Sequence, residues 1–224
     1  SALTPWKRAS TASRCRKVQE TLRKKLLEIL PEAVFVGEED DVHASIKKGF
    51  AFIVDPIDGT TNFIKDYHVS AISAGLTKDG EKYIGVVYNP YLDEMFTAER
   101  GKGAFLNGRP IHVSRNPLSE GIVLFGTAPY YEELSKKSFQ MAYAYFKKAL
   151  DVRRSGSAAI DLCSIAAGRA ELFFELRLSP WDFAAGALIV EEAGGVVTTV
   201  EGGAVTLGQK CSVLATNGRC GRLE

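Results

Sequence analysis

The chain has 224 residues, 46% apolar and 25% charged, with 28 Lys and Arg against 27 Asp and Glu; that mix suits a soluble globular protein of one large domain or two small lobes. The near-zero net charge, with no basic run beyond pairs such as Lys24-Lys25, argues against nucleic-acid binding as the main task. No apolar stretch approaches the roughly 18 residues that span a bilayer and no signal peptide opens the chain, so a cytoplasmic protein without a membrane partner is expected.

The first predicted element is a helix over Val18 to Leu30, where Val18, Leu22, Leu26, Ile29 and Leu30 form one apolar stripe that Pro31 stops. "AVFVG" and "GFAFIVD" read as short buried strands ending at Gly37 and Asp55. From Val69 to Ala98 an antiparallel meander is expected, with Lys78-Asp79-Gly80 as the turn between "VSAISAGLT" and "KYIGVVYNP". "GKGAFLNGRPIHVS" extends it, because Asn107-Gly108 is a hairpin signal and Pro110 suits a strand start.

After "EGIVLFG" helices alternate with strands. Glu132 to Leu150 reads as helix, and "GSAAIDLCSIAAGR" as a small-residue helix ending near Gly168. "AELFFEL" is a strand, "WDFAAGALIVEEAGG" a helix closed by Gly194-Gly195, and "VVTTV" a strand. The whole is a mixed α+β or α/β chain without internal repeats. A lobe boundary is expected near residue 128, dividing residues 1–128, with the meander, from an α/β lobe at 129–224.

Cys15, Cys163, Cys211 and Cys220 form no C-x-x-C pair, so buried or free thiols are expected. His43, His68 and His112 lack metalloprotease spacing and read as surface or turn residues.

The chemistry concentrates in "VDPIDGTTNF", residues 54–63. A strand delivers Asp55 at its carboxyl end, where open sheets place ligands. Pro56 discourages further pairing, Gly59 permits a sharp turn, and Thr60 or Thr61 can cap a short helix. Two carboxylates beside a helix start suggest Mg²⁺ and a phosphate; the alternative is an Asx-type turn in which Asp55 and Asp58 only bind nearby N–H groups. The closing Glu of an EF-hand is missing. Two more acidic sites stand at element ends: Glu38, Glu39 and Asp40 after Gly37, and Asp182 just after Pro180. Each alone reads as a solvated turn or a helix cap; together they suggest a multi-carboxylate metal site.

"GEED", "DPIDGTTNF" and "WDFAAGALIVEEAGG", in this order, with "GVVYNPYLDEMFTAERGKGAFLNGRPI" and "RRSGSAAIDLCSIAAGRAELFFE", closely resemble the inositol monophosphatase family of Mg²⁺-dependent, lithium-sensitive sugar-phosphate phosphatases. The likeness covers roughly residues 33 to 216. It implies a layered α/β/α/β/α sandwich, a homodimer, and one catalytic unit with its site between the lobes.

The resemblance also implies roles. Glu38, Asp55 and the Ile57 carbonyl would hold one Mg²⁺, Asp55 would bridge to a second held by Asp58 and Asp182, and a third, weaker ion would lie near Glu38. Glu38 and the Thr60 hydroxyl would orient and deprotonate a metal-bound water for in-line attack. The N–H groups of Gly59 and Thr60 would take phosphoryl charge. Glu175 and the helix start Gly156, Ser157 and Ala158 would face the ring of an inositol or sugar; Glu175 reads equally as a solvent-facing strand residue. Asp161 would bond backbone near the ring or serve a structural role, and Lys65 and His68 receive none.

The family's usual beginning is a long helix and a segment like "DLVTEAD"; here "RASTASRCRKVQE" puts Cys15 where its aspartate falls. Loss of such a carboxylate is expected to weaken Mg²⁺ binding. A last helix would ordinarily follow "ATNGRCGRLE". The expected substrate is an inositol monophosphate or another small polyol or sugar phosphate. Fructose 1,6-bisphosphate and 3′-phosphoadenosine 5′-phosphate are the enzymatic alternatives, and an inactive metal- or phosphate-binding homologue is the non-enzymatic one.

Overall fold

The computed structural model describes residues 5–40, 44–129 and 131–221. Helix α1 (Pro5–Ile29) begins well before the predicted stripe, with proline in its first turn, the one helical position where a missing N–H costs nothing. Its apolar residues Leu22, Leu26 and Leu27 pack on Phe35, Phe52 and Val54 of the sheet below.

That sheet has seven strands in chain order. β1 (Val34–Gly37) runs parallel to β2 (Phe50–Asp58), and β3 (Ala71–Lys78), β4 (Glu81–Asn89), β5 (Glu94–Glu99), β6 (Ala104–Leu106) and β7 (Arg109–Ile111) follow as an antiparallel meander. The expected turns are present. Asp79-Gly80 has φ of 52° and 84°, and Asn107-Gly108 has 48° and 77°, the paired positive values that match the twist of a two-residue hairpin.

Pro56 does not end β2. Pairing with β3 reaches Asp58↔Ala71, with a register shift between Asp55 and Asp58 that lets Pro56 and Ile57 pass without ladder partners. The short α2 (Thr60–Ile64) follows at once.

The second sheet orders its strands β11-β12-β10-β8-β9. It contains β8 (Ile122–Phe125), β9 (Asp151–Arg153), β10 (Leu172–Leu178), β11 (Val196–Thr198) and β12 (Cys211–Thr216). The change of sheet therefore falls between Ile111 and Ile122, because β8 already pairs with β10 and β9. Helix α3 (Glu132–Phe146) stops short of Leu150, whose N–H instead donates to Gly121 O at 2.9 Å and leads the chain into β9.

Helices α4 (Ala158–Ala166) and α5 (Pro180–Glu192) fill the middle. The layers run α1, first sheet, α4 with α5, second sheet, α3, so the chain is an α/β/α/β/α sandwich. Three hydrophobic clusters mark the seams: one under α1, one around α4 and α5, and one between the second sheet and α3. From Phe183 to Val190 every α5 residue is buried, as a helix covered on both sides requires. Small residues bring it down onto the meander: a Cβ on Gly85 would lie 2.6 Å from Ala185 O, inside contact distance of backbone. That close seat brings the N-terminus of α5 to the carboxyl end of β2.

Candidate active site

Three carboxylates meet there. Asp55 comes from β2, Asp58 from its end and Asp182 from the first turn of α5, and each offers an oxygen within 4.8 Å of the others. Asp55 is 2% exposed, Asp58 is buried and Asp182 half-buried. Glu38 leaves β1 beside β2, where its own N–H donates to Val54 O at 3.1 Å and its carboxyl group hydrogen-bonds Asp55.

Each member of the triad gives one oxygen to a backbone donor, local for Asp55 and Asp182 and from the distant α4 for Asp58. Ile57 N–H donates to Asp55 Oδ1 at 2.9 Å, Ala159 N–H to Asp58 Oδ2 at 2.9 Å, and Ser179 N–H to Asp182 Oδ2 at 2.7 Å. The Asx-type turn at Asp55 and the helix cap at Asp182 thus both exist. They do not compete with metal binding, because a carboxylate has two oxygens and about four lone-pair sites.

The electrostatics of the cluster favour a cation. Burial first, then repulsion from Glu38, Asp58 and Asp182, pushes the Asp55 carboxyl well above the usual carboxylate range. Burial and Asp58 do the same to Asp182. Burial also raises Glu38, and it raises Asp58 despite the donors Ser157, Ala159, Ala158 and Gly59. No Lys or Arg forms an ion pair with the triad among the described residues. Buried, mutually repelling carboxylates without a counter-charge are a fitting site for a hard divalent ion with oxygen ligands.

Around the triad, the expected helix cap is replaced. Gly59, at φ 82°, is the N-cap of α2; a Cβ there would also meet Val69 O at 2.8 Å. The Thr60 hydroxyl donates instead to Ile57 O at 3.0 Å, the carbonyl assigned to the first metal by resemblance. Of the two N–H groups assigned to phosphate, that of Gly59 faces the Asp58 carboxylate.

The "GSAA" segment also meets Asp58. Ser157 caps α4 by accepting from Ile160 N at 3.3 Å, and its hydroxyl donates to Asp58 Oδ2. Gly156, at φ 87°, sits against the Asn62 amide, which donates to Val69 O at 2.8 Å and Ser155 O at 2.9 Å. Ala158 is buried. Glu175 is not a solvent-facing strand residue. Burial pushes its carboxyl up to about 7, and Oε1 accepts from Ala128 N–H at 3.0 Å. Arg154 stands nearby, its Nε donating to Thr127 Oγ1 at 3.3 Å. Asp161 is buried and raised well above the usual range by that burial, with a hydrogen bond from Ser155 opposing.

Cys15 is buried on α1 near Glu39 and Glu38, where burial and those acids push the thiol up to about 11. Cys163 and Cys220 are also buried, and all four cysteines are free thiols. His68 stacks on Tyr91 at the surface, and His112 is exposed. His43 lies outside the described residues.

Sequence reasoning missed Asn62, Thr127, Ala128 and Arg154. Asn62 stood within the quoted motif without a role; the others carry no local signature, and only folding brings residues 127 and 128 against 154 and 175.

Comparison with known proteins points the same way. The profile of the inositol monophosphatase family matches residues 12–222. Nus factor SuhB of Vibrio cholerae is 42% identical over 174 residues, covering 77% of this chain and 65% of that protein. Inositol-1-monophosphatase of Rhizobium meliloti is 41% identical over 189 residues, 84% of this chain and 71% of that one. This chain thus spans about two thirds of the length of these relatives. Among solved structures, the staphylococcal IMPase-II with inositol monophosphate bound superposes with a TM-score of 0.82 at 29% identity, covering 93% of this chain and 80% of that one. No helix among the described residues is long and apolar enough to cross a membrane.

Proposed function

Because this chain belongs to the inositol monophosphatase family, we propose that it is a Mg²⁺-dependent phosphomonoesterase acting on inositol monophosphate or a related small polyol or sugar phosphate. The observation that carries this reading is the triad Asp55, Asp58 and Asp182, two of them buried and the third half-buried, which forms no ion pair with a Lys or Arg among the described residues. Glu38, Asp55, the Ile57 carbonyl, Asp58 and Asp182 would hold two or three Mg²⁺ ions. Cations so held supply a lowered pKa for a coordinated water and offset charge on phosphoryl and leaving-group oxygens.

The chain's own residues supply the rest. Glu38, with its carboxyl group raised by burial, accepts a proton from the attacking water, and Thr60 orients that water. The Thr60 N–H meets the phosphate, while the Gly59 N–H, which faces Asp58, holds that carboxylate at the same turn. Asp58 is held in place by the head of α4, which fixes the distance between the metal loop and the ring pocket. By the family resemblance, Glu175 and the helix start Gly156, Ser157 and Ala158 would face substrate hydroxyls. The two lobes act as one catalytic unit. The homodimer, the cytoplasmic location and lithium sensitivity belong to the same proposal.

A phosphate-release assay with and without Mg²⁺, over inositol 1-phosphate, fructose 1,6-bisphosphate and 3′-phosphoadenosine 5′-phosphate and repeated with Li⁺, tests this reading. Release from inositol 1-phosphate that needs Mg²⁺ and falls with Li⁺ is expected. Mg²⁺-dependent release from only one of the other two would move the substrate. No release from any would favour a binding protein without catalysis.

A further inference from the structure

The turn that carries Glu38 is held by a residue from another layer. Gln19 of α1 is 4% exposed, and its amide does two things. Oε1 accepts from Glu39 N–H at 3.0 Å, and Nε2 donates to Asp40 Oδ1 at 3.0 Å. Arg23, one helical turn on, also donates to Asp40 Oδ1, and its guanidinium lies 4.2 Å from the Phe35 ring centre. Asp40 Oδ2 in turn accepts from Gly37 N–H at 2.9 Å.

Counting donors shows how completely the turn is fixed. Gly37 N–H goes to Asp40 Oδ2, Glu38 N–H to Val54 O, Glu39 N–H to Gln19 and Asp40 N–H to Gly37 O. Every backbone N–H from residue 37 to 40 has a partner, and the one for Glu39 N–H comes from a side chain outside the turn, the Gln19 amide. Gly37 is built around it: the three atoms nearest to a Cβ added there are all of the Gln19 amide group, at 2.2, 2.3 and 2.7 Å. The glycine leaves room for the amide, and the amide holds the turn.

We infer that Gln19 is a positioning residue of the metal site, its amide clamping residues 37–40 so that the Glu38 carboxyl group stays against Asp55. The inference rests on the metal-dependent reading above and deepens it. Gln19 touches neither substrate nor the triad; it acts through the turn. Groups that orient metal ligands in this way typically change metal affinity about 10- to 100-fold when removed.

The test is a calorimetric titration of Mg²⁺ into the full chain and its variants. Gln19→Met keeps the volume and removes both hydrogen bonds. Gly37→Ala displaces the same amide from the other side, at the end of a flexible side chain. Each is expected to raise the Mg²⁺ Kd about 10-fold, and the double variant to match the singles, since both remove one contact. Catalytic rate would recover at saturating Mg²⁺ with the substrate KM unchanged, whereas general destabilisation would not separate the two. Glu20→Ala, on the exposed side of the same helix, should bind Mg²⁺ as the wild type does.

A cooperatively melting Gln19→Met protein with wild-type Mg²⁺ affinity overturns the clamp and leaves the metal site standing. If that variant does not fold, Gly37→Ala decides in the same way. If the wild type takes up no Mg²⁺, the metal reading falls and the clamp with it.

Discussion

Ser157, at the head of α4, donates its hydroxyl to Asp58 Oδ2, 99 positions earlier in the chain, while the same oxygen atom of Ser157 accepts from Ile160 N–H. One side chain therefore caps a helix of the central layer and stabilises a buried carboxylate of the first sheet. Ser157→Ala removes both. The expected cost is about 2 kcal/mol from a lost cap and a weakened buried acceptor, or about 4–8 °C in Tm for a protein of this size. Calorimetry of the variant checks this; an unchanged Tm would mean that Ala159 and the other α4 donors suffice for Asp58.

The raised carboxyls of Asp55, Asp58 and Asp182 set the sign of the pH dependence without metal. A raised folded-state pKa means that the native state binds more protons than the unfolded one. Their contribution is fully present below the ordinary aspartate value of 3.8 and is lost as pH rises through the raised values. In EDTA, the difference in Tm between wild type and Asp55→Asn should grow in favour of the variant as pH rises above the ordinary aspartate value of 3.8. Mg²⁺ at 100 times its Kd should restore about 2.7 kcal/mol to the wild type. A thermal-shift series across pH, with EDTA and with Mg²⁺, measures both; equal curves for the two proteins would remove Asp55 from the cluster's electrostatics.

Asp182 allows the cap and the metal role to be separated. Asn at this position keeps an oxygen for Ser179 N–H but loses the charge. Asp182→Asn should therefore keep or raise the Tm of the metal-free protein while lowering phosphate release about 100-fold or more, as losing several kcal/mol of metal-borne transition-state stabilisation demands. A large fall in Tm with activity retained would make it a structural cap only.

Glu175, raised to about 7 by burial, should titrate within the working range. Its stabilising contribution is full below the ordinary glutamate value of 4.5 and lost as pH rises through about 7. Glu175→Gln keeps a neutral group of the same shape, so its Tm should fall less than that of the wild type between about pH 5 and about pH 8. The pH–activity profile should lose an inflection near 7 in the same variant. Parallel Tm curves would place the carboxylate in solvent contact.

What could be read along the chain was what short-range physics controls. Paired positive-φ turns at Asp79-Gly80 and Asn107-Gly108, the strand leading to Asp55, the helix opened by Pro180 and the alternation that makes two sheets all depend on neighbours a few residues apart. The acidic residues at element ends were visible for the same reason, and the three that meet, Asp55, Asp58 and Asp182, were all among those singled out. Local chemistry misled where a longer-range partner won. Pro56 passes through β2 because a bulge against β3 absorbs it. Thr60 turns to Ile57 O because Gly59, pressed against Val69 O, already takes the cap position.

The support of the site was not visible in any window of sequence. Ser157 reaches Asp58 across 99 residues and Gln19 reaches Glu39 across 20, contacts that exist only because the layers stack at one distance. That distance is set by packing: α5 can lie on the meander only because Gly85 leaves room for the Ala185 carbonyl. Residue chemistry and spacing determine which groups stand at the ends of strands and helices; the close contact between layers determines which of them meet.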